Sequence, residues 1–210
     1  MVSNVVKGAF FVSLIFAPVV ASEPALACKG SSVVYDADFT EGWNTSENWS
    51  ADSEKAKFKS PSGKVVWNYY QGDVFAEGDI CVDVKGPDGV GKDPGSVAAG
   101  IALTGANKNY FFVVLADGSA SIWGLASGQW IYPAGQNPRK DAAIKAGANA
   151  ENNIRVVFQS KGGATMYVND KSIVTFKNFP AANNHLIGLF VQSDGNTYEF
   201  SKLQMTEPPR

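Results

Sequence analysis

The sequence predicts an all-β protein, built as a two-sheet antiparallel sandwich of the jelly-roll type. About a dozen short runs of β-branched and aromatic residues follow one another, separated by Gly, Pro, Asn and Asp at steady spacing. The run at residues 110–115 is apolar at every position, which is typical of a central strand covered on both faces. No segment has the apolar spacing of a helix, and no fixed-period repeat is present.

The composition is that of one globular domain. The 210 residues are 45% hydrophobic and 18% charged, and this length suits a single all-β domain. The formal net charge is -2. Because no basic field is available to neutralise phosphates, we expect no nucleic-acid partner.

Residues 1–27 have the pattern of a secretory signal peptide. Lys7 supplies the positive charge, residues 8–21 form an apolar run, and Ala25-Leu26-Ala27 is a small-x-small cleavage site. The run is too short to predict a transmembrane segment. We therefore expect an exported protein, periplasmic or extracellular, with a single sandwich domain at residues 28–210 and its core at about 33–205.

The two cysteines lie after the expected cleavage site. In an oxidising compartment, Cys28 and Cys81 are predicted to form a disulfide that ties the new N-terminus to a strand. An alternative is that Ala25-Leu26-Ala27-Cys28 resembles a bacterial lipoprotein signal, with Cys28 lipidated and Cys81 free. Ala25 stands where such signals usually have Leu.

The N-terminal half begins with a predicted edge strand at residues 33–39. Residues 41–52 are polar and are interpreted as a loop whose Trp43 and Trp49 pack against the core. Two strands, residues 55–58 and 64–70, flank the turn at residues 60–63.

The next strand, within residues 74–84, alternates in character. Its apolar positions, Ile80, Val82 and Val84, are predicted to face the core. The opposite face carries three carboxylates and a cysteine, and we expect it to point into solvent; these residues are Glu77, Asp79, Cys81 and Asp83.

A Gly- and Pro-rich connection at residues 85–95 precedes three further strands, at residues 97–104, 109–116 and 119–125. Asp117-Gly118 predicts a tight hairpin between the last two. Residues 129–132 are predicted to add a short strand. Residues 133–152 have no apolar period and are interpreted as an excursion over the surface.

The C-terminal third contains the clearest series of antiparallel strands, because its β-rich runs are joined by short turns. The runs are residues 153–159, 164–168, 172–176, 186–192 and 198–200.

Several motifs in this series resemble a known family. They are Asn153-x-Arg155-Val156, the hairpin around Asn169-Asp170-Lys171, and Ile187-Gly188-Leu189-x-Val191-Gln192 followed by Gly195, Tyr198 and Phe200. With Asp36-x-Asp38-Phe39 and Trp43, they resemble concanavalin A-like lectin/glucanase domains. The closest group is the bacterial secreted one labelled family 16 glycoside hydrolase or 3-keto-disaccharide hydrolase. The resemblance implies the sandwich fold and a carbohydrate partner.

A retaining glucanase of this fold would be expected to carry Glu-x-Asp-x-x-Glu on one strand. Here the local relative is Glu77-Gly78-Asp79, and the next carboxylate on that face is Asp83. At about 3.4 Å per residue, Glu77 and Asp83 lie roughly 20 Å apart. Retaining chemistry requires carboxyls about 5 to 5.5 Å apart. We therefore assign no catalytic residue, and the sequence favours a non-enzyme.

Neither a metal site nor a cofactor is predicted. His185 is the only histidine, so a multi-His zinc site is excluded, and we expect His185 at the surface or in a capping role. Four aspartates could offer oxygen to a structural calcium ion, but none has the spacing of a calcium loop. They are Asp36, Asp38, Asp88 and Asp93.

The densest candidate site for sugar binding combines aromatic side chains with polar neighbours. Aromatic rings stack on pyranose faces, and amide or guanidinium groups bind hydroxyls. The predicted ligand-binding residues are Trp123, Trp130, Tyr132, Asn137, Arg139 and Gln192. Tyr69, Tyr70 and Tyr110 are further candidates. The alternative is that Trp123 belongs to the core and Trp130 seals a loop.

These observations favour a secreted, non-catalytic, lectin-like module that binds carbohydrate. One alternative is a glycoside hydrolase of the same fold, and another is a structural or interaction domain. The residues carry no signal for the identity of the sugar or for an oligomeric state.

Overall fold

The computed structural model describes residues 28–105, 107–131, 138–181, 184–193 and 195–209. The expected signal peptide, residues 1–27, lies outside them. Strands dominate the described ranges: β1 Val33–Asp36, β2 Trp49–Ala51, β3 Lys55–Lys59, β4 Lys64–Tyr69, β5 Gly78–Lys85, β6 Ala98–Gly105, β7 Lys108–Leu115, β8 Ser119–Ala126, β9 Gln129–Ile131, β10 Arg139–Lys140, β11 Glu151–Phe158, β12 Ala164–Val168, β13 Lys171–Phe176, β14 Ile187–Ser193 and β15 Thr197–Thr206.

The strands form two antiparallel sheets that stack as a sandwich. The eight-stranded sheet has the order β13-β12-β11-β5-β15-β3-β2, with β1 added on β15. The seven-stranded sheet has the order β10-β8-β7-β6-β14-β4, with β9 added on β8. The predicted fold class is therefore confirmed.

The core lies between the sheets and is filled by alternate residues of each strand. Strand β5 contributes Ile80, Val82 and Val84, as the alternation predicts, and all three are buried. Strand β7 lies between β6 and β8, and its apolar run is buried at every position. This confirms the prediction of a central strand covered on both faces.

The C-terminal strand series is divided between the two sheets. Strands β11, β12 and β13 form a meander in the eight-stranded sheet. Asn169 and Asp170 join β12 to β13 with φ of 48° and 70°, the left-handed conformation that a tight hairpin requires. Strand β14 crosses to the seven-stranded sheet, and β15 returns to the eight-stranded sheet between β5 and β3.

The turn at residues 60–63 also joins the two sheets rather than closing a hairpin, because β3 and β4 belong to different sheets. The Ser60 hydroxyl, which is buried, donates to the Lys64 carbonyl at 2.6 Å. By contrast, Asp117-Gly118 forms the predicted hairpin between β7 and β8. There the Asp117 carboxylate accepts a hydrogen bond from the Ser119 amide at 3.0 Å.

Two loop interpretations are refined by the structure. Trp43 and Trp49 stack at 5.2 Å between centroids and join the core as predicted, although Trp49 begins strand β2. The segment predicted as a surface excursion adds β10 to the seven-stranded sheet and buries Ile144 in the core. Among the described residues, no helix is long and apolar enough to cross a bilayer.

Candidate functional site

The outer face of the seven-stranded sheet is apolar and aromatic. Successive side chains of a strand point to opposite faces, so the residues that alternate with the core residues of β4, β6, β7, β8 and β14 share this outer surface. A separate buried cluster forms there. We call this surface the aromatic face and define it by Val65, Trp67, Tyr69, Ala98, Ala102, Phe111, Val113, Leu115, Trp123, Leu125, Phe190 and Gln192, with Trp130 from β9.

Phe111 and Phe190 form the base of the aromatic face. Their ring centroids are 4.6 Å apart, and both side chains are fully buried. Trp67 and Trp130 reach toward this base from strands on opposite sides of β7, and each ring lies 5.5 Å from Phe111. Trp123 meets Phe190 edge-on at 5.6 Å. The aromatic surface left accessible belongs chiefly to Trp130, which is 41% exposed, and to the half-buried Trp67.

Two polar atoms of the aromatic face are buried without a hydrogen-bond partner among the described residues. They are Nε1 of Trp123, a side chain 8% exposed, and the hydroxyl of Tyr69. Burial raises the pKa of Tyr69, so the hydroxyl stays protonated. A buried donor left unpaired costs about 1–3 kcal/mol.

Gln192 provides an amide at one end of the aromatic face. It lies opposite Val65 and Ala98 in the sheet and lines a groove of about 500 Å³ with Lys64 and Lys92. The other wall of this groove is formed by residues 90–93 with Ser96 and Val97, and the side chain of Asp93 caps the short 3-10 turn Pro94–Ser96.

The predicted ligand-binding residues are only partly brought together. Trp123, Trp130 and Gln192 share the aromatic face. Arg139 is exposed on edge strand β10 and pairs with Ala120, whose side chain joins the core between the sheets. Arg139 is therefore at a position that alternates with those of the aromatic face. Tyr132 and Asn137 lie outside the described residues.

Sequence reasoning did not place Trp67, Phe111 and Phe190 on this face. In β4, large side chains point to both faces of the sheet. In β7, the same pattern predicted a strand covered on both faces. The same criterion would have found Trp67. Of the further candidates, Tyr69 belongs to the aromatic face, whereas Tyr110 packs in the core against Phe176 and Phe179.

The alternative interpretation of Trp123 as a core residue agrees with its burial but not with its position. Its side chain is buried, but it belongs to the outer aromatic cluster and not to the core between the sheets. Trp130 covers that cluster by edge contact with Trp123 at 6.2 Å between centroids.

The outer face of the eight-stranded sheet is charged. Ion pairs join its neighbouring strands: Lys55 to Glu199 at 2.9 Å, and Lys85 to Glu151 at 3.6 Å. Lys202 reaches Asp83 at 3.0 Å from a β-bulge where its φ is 53°. These residues border a concavity of about 880 Å³, which we call the polar groove. It is lined by Asp36, Ala37, Asp38, Ser53, Glu54, Lys55, Asp83, Val84, Lys85, Lys145, Glu151, Asn152, Asn153, Asn169, Glu199, Ser201 and Lys202.

The solvent-facing prediction for the polar side of β5 is wrong for Asp79 and Cys81. Both point away from the core as the alternation predicts, yet both are fully buried because the N-terminal segment covers them. Cys28 is bonded to Cys81, and the Lys29 amide donates to the Asp79 carboxylate at 3.2 Å. The predicted disulfide is therefore present, and the Cys28 sulfur that lipidation would require is already bonded.

Asp79 is held by Arg155 in a two-point salt bridge. The guanidinium Nε and Nη2 donate to Oδ1 and Oδ2 at 2.7 and 2.8 Å. The Arg155 guanidinium also lies 4.6 Å from the centroid of the Tyr167 ring. A carboxylate occupied in this way is not free to act as a nucleophile or an acid. Glu77, by contrast, is exposed as predicted and accepts a hydrogen bond from the Ser160 hydroxyl at 2.8 Å.

His185 is buried, so its predicted surface or capping position is wrong. The ring stacks on Phe179 at 5.0 Å and meets Phe158 edge-on at 5.2 Å. Its Nδ1 donates to the Thr104 carbonyl, whereas Nε2 has no partner among the described residues. Burial lowers the pKa of His185 below its usual value. The ring serves as a neutral aromatic member of the core.

No metal site is supported by the one group of described side chains that has suitable spacing. Cys28, Asp79 and Cys81 lie together, but the two sulfurs are bonded to each other and the carboxylate is paired with Arg155. Of the aspartates considered for calcium, Asp93 caps its turn and Asp38 accepts hydrogen bonds from Thr40. The absence of a metal site, with structural calcium as the alternative, stays a prediction.

The fold is similar to several solved structures that are distant in sequence. Carbohydrate-binding module CBM66 from Bacillus subtilis has a TM-score of 0.60 at 16% identity, over 79% of this chain and 96% of the module. The laminarinase catalytic domain from Thermotoga maritima gives 0.59 at 9% identity, over 85% of this chain and 99% of the domain. A β-glucanase from Bacillus licheniformis gives 0.56 at 12% identity, over 85% and 99%.

No protein-family model matches the sequence, and no curated protein matches it either. The structural likenesses agree with the jelly-roll sandwich predicted from the sequence. At these identities they establish the fold of the chain and not its activity.

Proposed function

We propose that this chain is an exported, non-catalytic carbohydrate-binding domain that holds its glycan on the aromatic face. The observation that carries the proposal is Trp130, a tryptophan 41% exposed, whose ring meets the buried ring of Trp123 edge-on at 6.2 Å between centroids. An exposed indole packed on a buried aromatic base suits a sugar, because a pyranose has an apolar face that stacks on a ring and a rim of oxygens that bind neighbouring polar groups.

The remaining residues of the face suit the same ligand. Trp67 supplies a second half-buried ring, and Gln192 supplies an amide for hydroxyl groups at the end of the face. Asn109 and Ser121 also lie on the outward parity of β7 and β8, in register with Leu125 and Val113. Rings in the middle and amides toward the margins are how sugar sites achieve stacking and specificity together.

Binding is favoured over hydrolysis by the placement of the carboxylates. Glycoside hydrolysis needs two carboxyl groups on one face within about 10 Å. The outward positions described on β4, β6, β7, β8 and β14 hold no Asp or Glu. The Glu77 and Asp79 pair considered from the sequence lies on the other sheet, with Asp79 locked by Arg155.

Export and the resemblance to the lectin/glucanase group complete the proposal. The buried Cys28–Cys81 bond is consistent with an oxidising compartment and with the signal peptide expected at residues 1–27. A glycan at a cell surface or in a periplasm is the partner that such a location would offer. No bound metal or cofactor is required by this mode of binding.

The test is affinity electrophoresis of the exported form, starting at Cys28, through gels containing a panel of polysaccharides. We expect retardation on at least one glycan, with affinity about tenfold lower in Trp130→Ala and partly retained in Trp130→Phe. Val74→Ala removes another exposed apolar side chain and is the matched control, which should bind as the parent does. The proposal is wrong if no glycan retards the protein, or if Trp130→Ala binds as tightly as the parent.

A further inference from the structure

The aromatic face lacks charge across five adjacent strands. Every described outward position of β4, β14, β6, β7 and β8 is apolar, glycine or a neutral polar residue. The ionisable side chain among them is that of Tyr69, and burial raises the pKa of Tyr69, which keeps it neutral. The polar groups at these positions are therefore uncharged: indole N–H groups, hydroxyls and amides.

Within the described ranges, charged side chains border this face at the β10 edge and beside Gln192. At the β10 edge, Lys140 lies across from Ser119 and is paired with Asp117 at 3.4 Å. At the other end, Lys64, Lys92 and Asp93 line the groove beside Gln192. Among the described residues, the cation–π contact found is that of Arg155 with Tyr167 on the other sheet, and it involves none of the rings of the aromatic face.

From this distribution we propose that the glycan held by the aromatic face is uncharged and carries no uronate, sulfate or other anionic group on the sugars that stack there. The inference rests on the proposed function and narrows its ligand class. Moving a carboxylate from water onto an apolar surface is costly unless a cation or several donors meet it. The face offers an anion no cation, so each charged sugar would lose hydration without compensation.

The outer face of the eight-stranded sheet is charged, in contrast to the aromatic face. The polar groove presents lysines and carboxylates in alternation, including Lys55 with Glu199 and Lys202 with Asp83. The lysines that an anionic sugar would need lie there and not on the aromatic face, although the six carboxylates that line the groove outnumber its four lysines. The two outer faces of one sandwich are thus chemically distinct, and a charged ligand is separable from a neutral one by the sheet it occupies.

A matched pair of polysaccharides tests this inference: a polyuronate and the same polymer after reduction of its carboxyl groups to primary alcohols. Binding of both is measured by isothermal titration for the parent, Trp130→Ala and Lys202→Ala. We expect the reduced, neutral polymer to bind at least about tenfold more tightly than the polyuronate. Its affinity should change little between low and high salt, because no ion pair forms.

The outcomes separate the inference from the proposed function. If the polyuronate binds as tightly as its reduced form and loses that affinity in Trp130→Ala, the aromatic face binds glycan but the neutral assignment is wrong. If the polyuronate binds and only Lys202→Ala weakens its binding, the polar groove is the site for anions. The assignment of a neutral glycan to the aromatic face then stands when Trp130→Ala still weakens binding of the reduced polymer. If neither polymer nor any glycan of the panel depends on Trp130, both proposals fail.

Discussion

Arg155 clamps Asp79 through two hydrogen bonds of 2.7 and 2.8 Å; both side chains are buried, and the N-terminal segment covers Asp79. The pair joins β11 to β5 on the outer face of the eight-stranded sheet. The same cover contains the disulfide between Cys28 and Cys81. Strand alternation predicts that this face of β5 is exposed to solvent, but the N-terminal segment buries part of it. The stability of the buried ion pair therefore depends on that segment.

Removing one partner of this ion pair should strongly destabilise the domain. In Asp79→Ala the Arg155 guanidinium remains buried without its counter-charge, and we expect the free energy of unfolding to fall by about 3–5 kcal/mol. Urea denaturation measures the change. Glu77→Gln, at an exposed carboxylate nearby, is the control and should stay within about 0.5 kcal/mol of the parent. Equal stability of Asp79→Ala and the parent would show that the pair contributes nothing.

Loss of the disulfide should lower stability through the unfolded state. The bond links residues 53 apart in sequence, and closing a loop of that size corresponds to about 4 kcal/mol in the chain-entropy account. We expect Cys28→Ser with Cys81→Ser to unfold at correspondingly lower urea concentration. Intact mass of the exported form should rise by two hydrogens on reduction. An acyl mass at Cys28 with no response to reductant would instead support lipidation.

His185 should make stability depend on pH below neutrality. Burial lowers the pKa of its ring in the folded state from a usual value of 6.5, so the unfolded chain binds a proton more readily. The contribution of the neutral, buried ring to the free energy of unfolding is complete above the usual pKa of 6.5 and is lost as the pH falls below it. The slope should approach but not exceed about 1.4 kcal/mol per pH unit.

This pH dependence is measured by urea denaturation of the parent and of His185→Phe between pH 7.5 and 5. The substitution keeps an aromatic ring against Phe179 and removes the titrating group. The chain has one histidine, so the slope over this range should shrink markedly in the variant. Identical slopes in the two proteins would assign the pH dependence to other groups.

A glycan that binds should not be cleaved. Asp79 is paired with Arg155, and no described outward position on the main strands of the aromatic face carries a carboxylate, so the chemistry of glycoside hydrolysis lacks its acid and its base. We expect no reducing ends or keto sugars after long incubation with the bound polysaccharide. Release of such products, with loss of that activity in Glu77→Gln, would favour the hydrolase alternative.

The sequence by itself determined most of the strands, though not β2 and β10, together with the central position of β7, the hairpin at Asp117-Gly118 and the sandwich. These features follow from local alternation and turn chemistry. It also identified the two cysteines that pair and three residues of the aromatic face, Trp123, Trp130 and Gln192. Only the tertiary structure decided what covers each strand face. Alternation along a strand predicts the face to which a side chain points. Whether that face is exposed to solvent depends on contacts with segments that are distant in sequence. Asp79 and His185 are buried, and Trp67 and Trp130 converge on Phe111, for that reason.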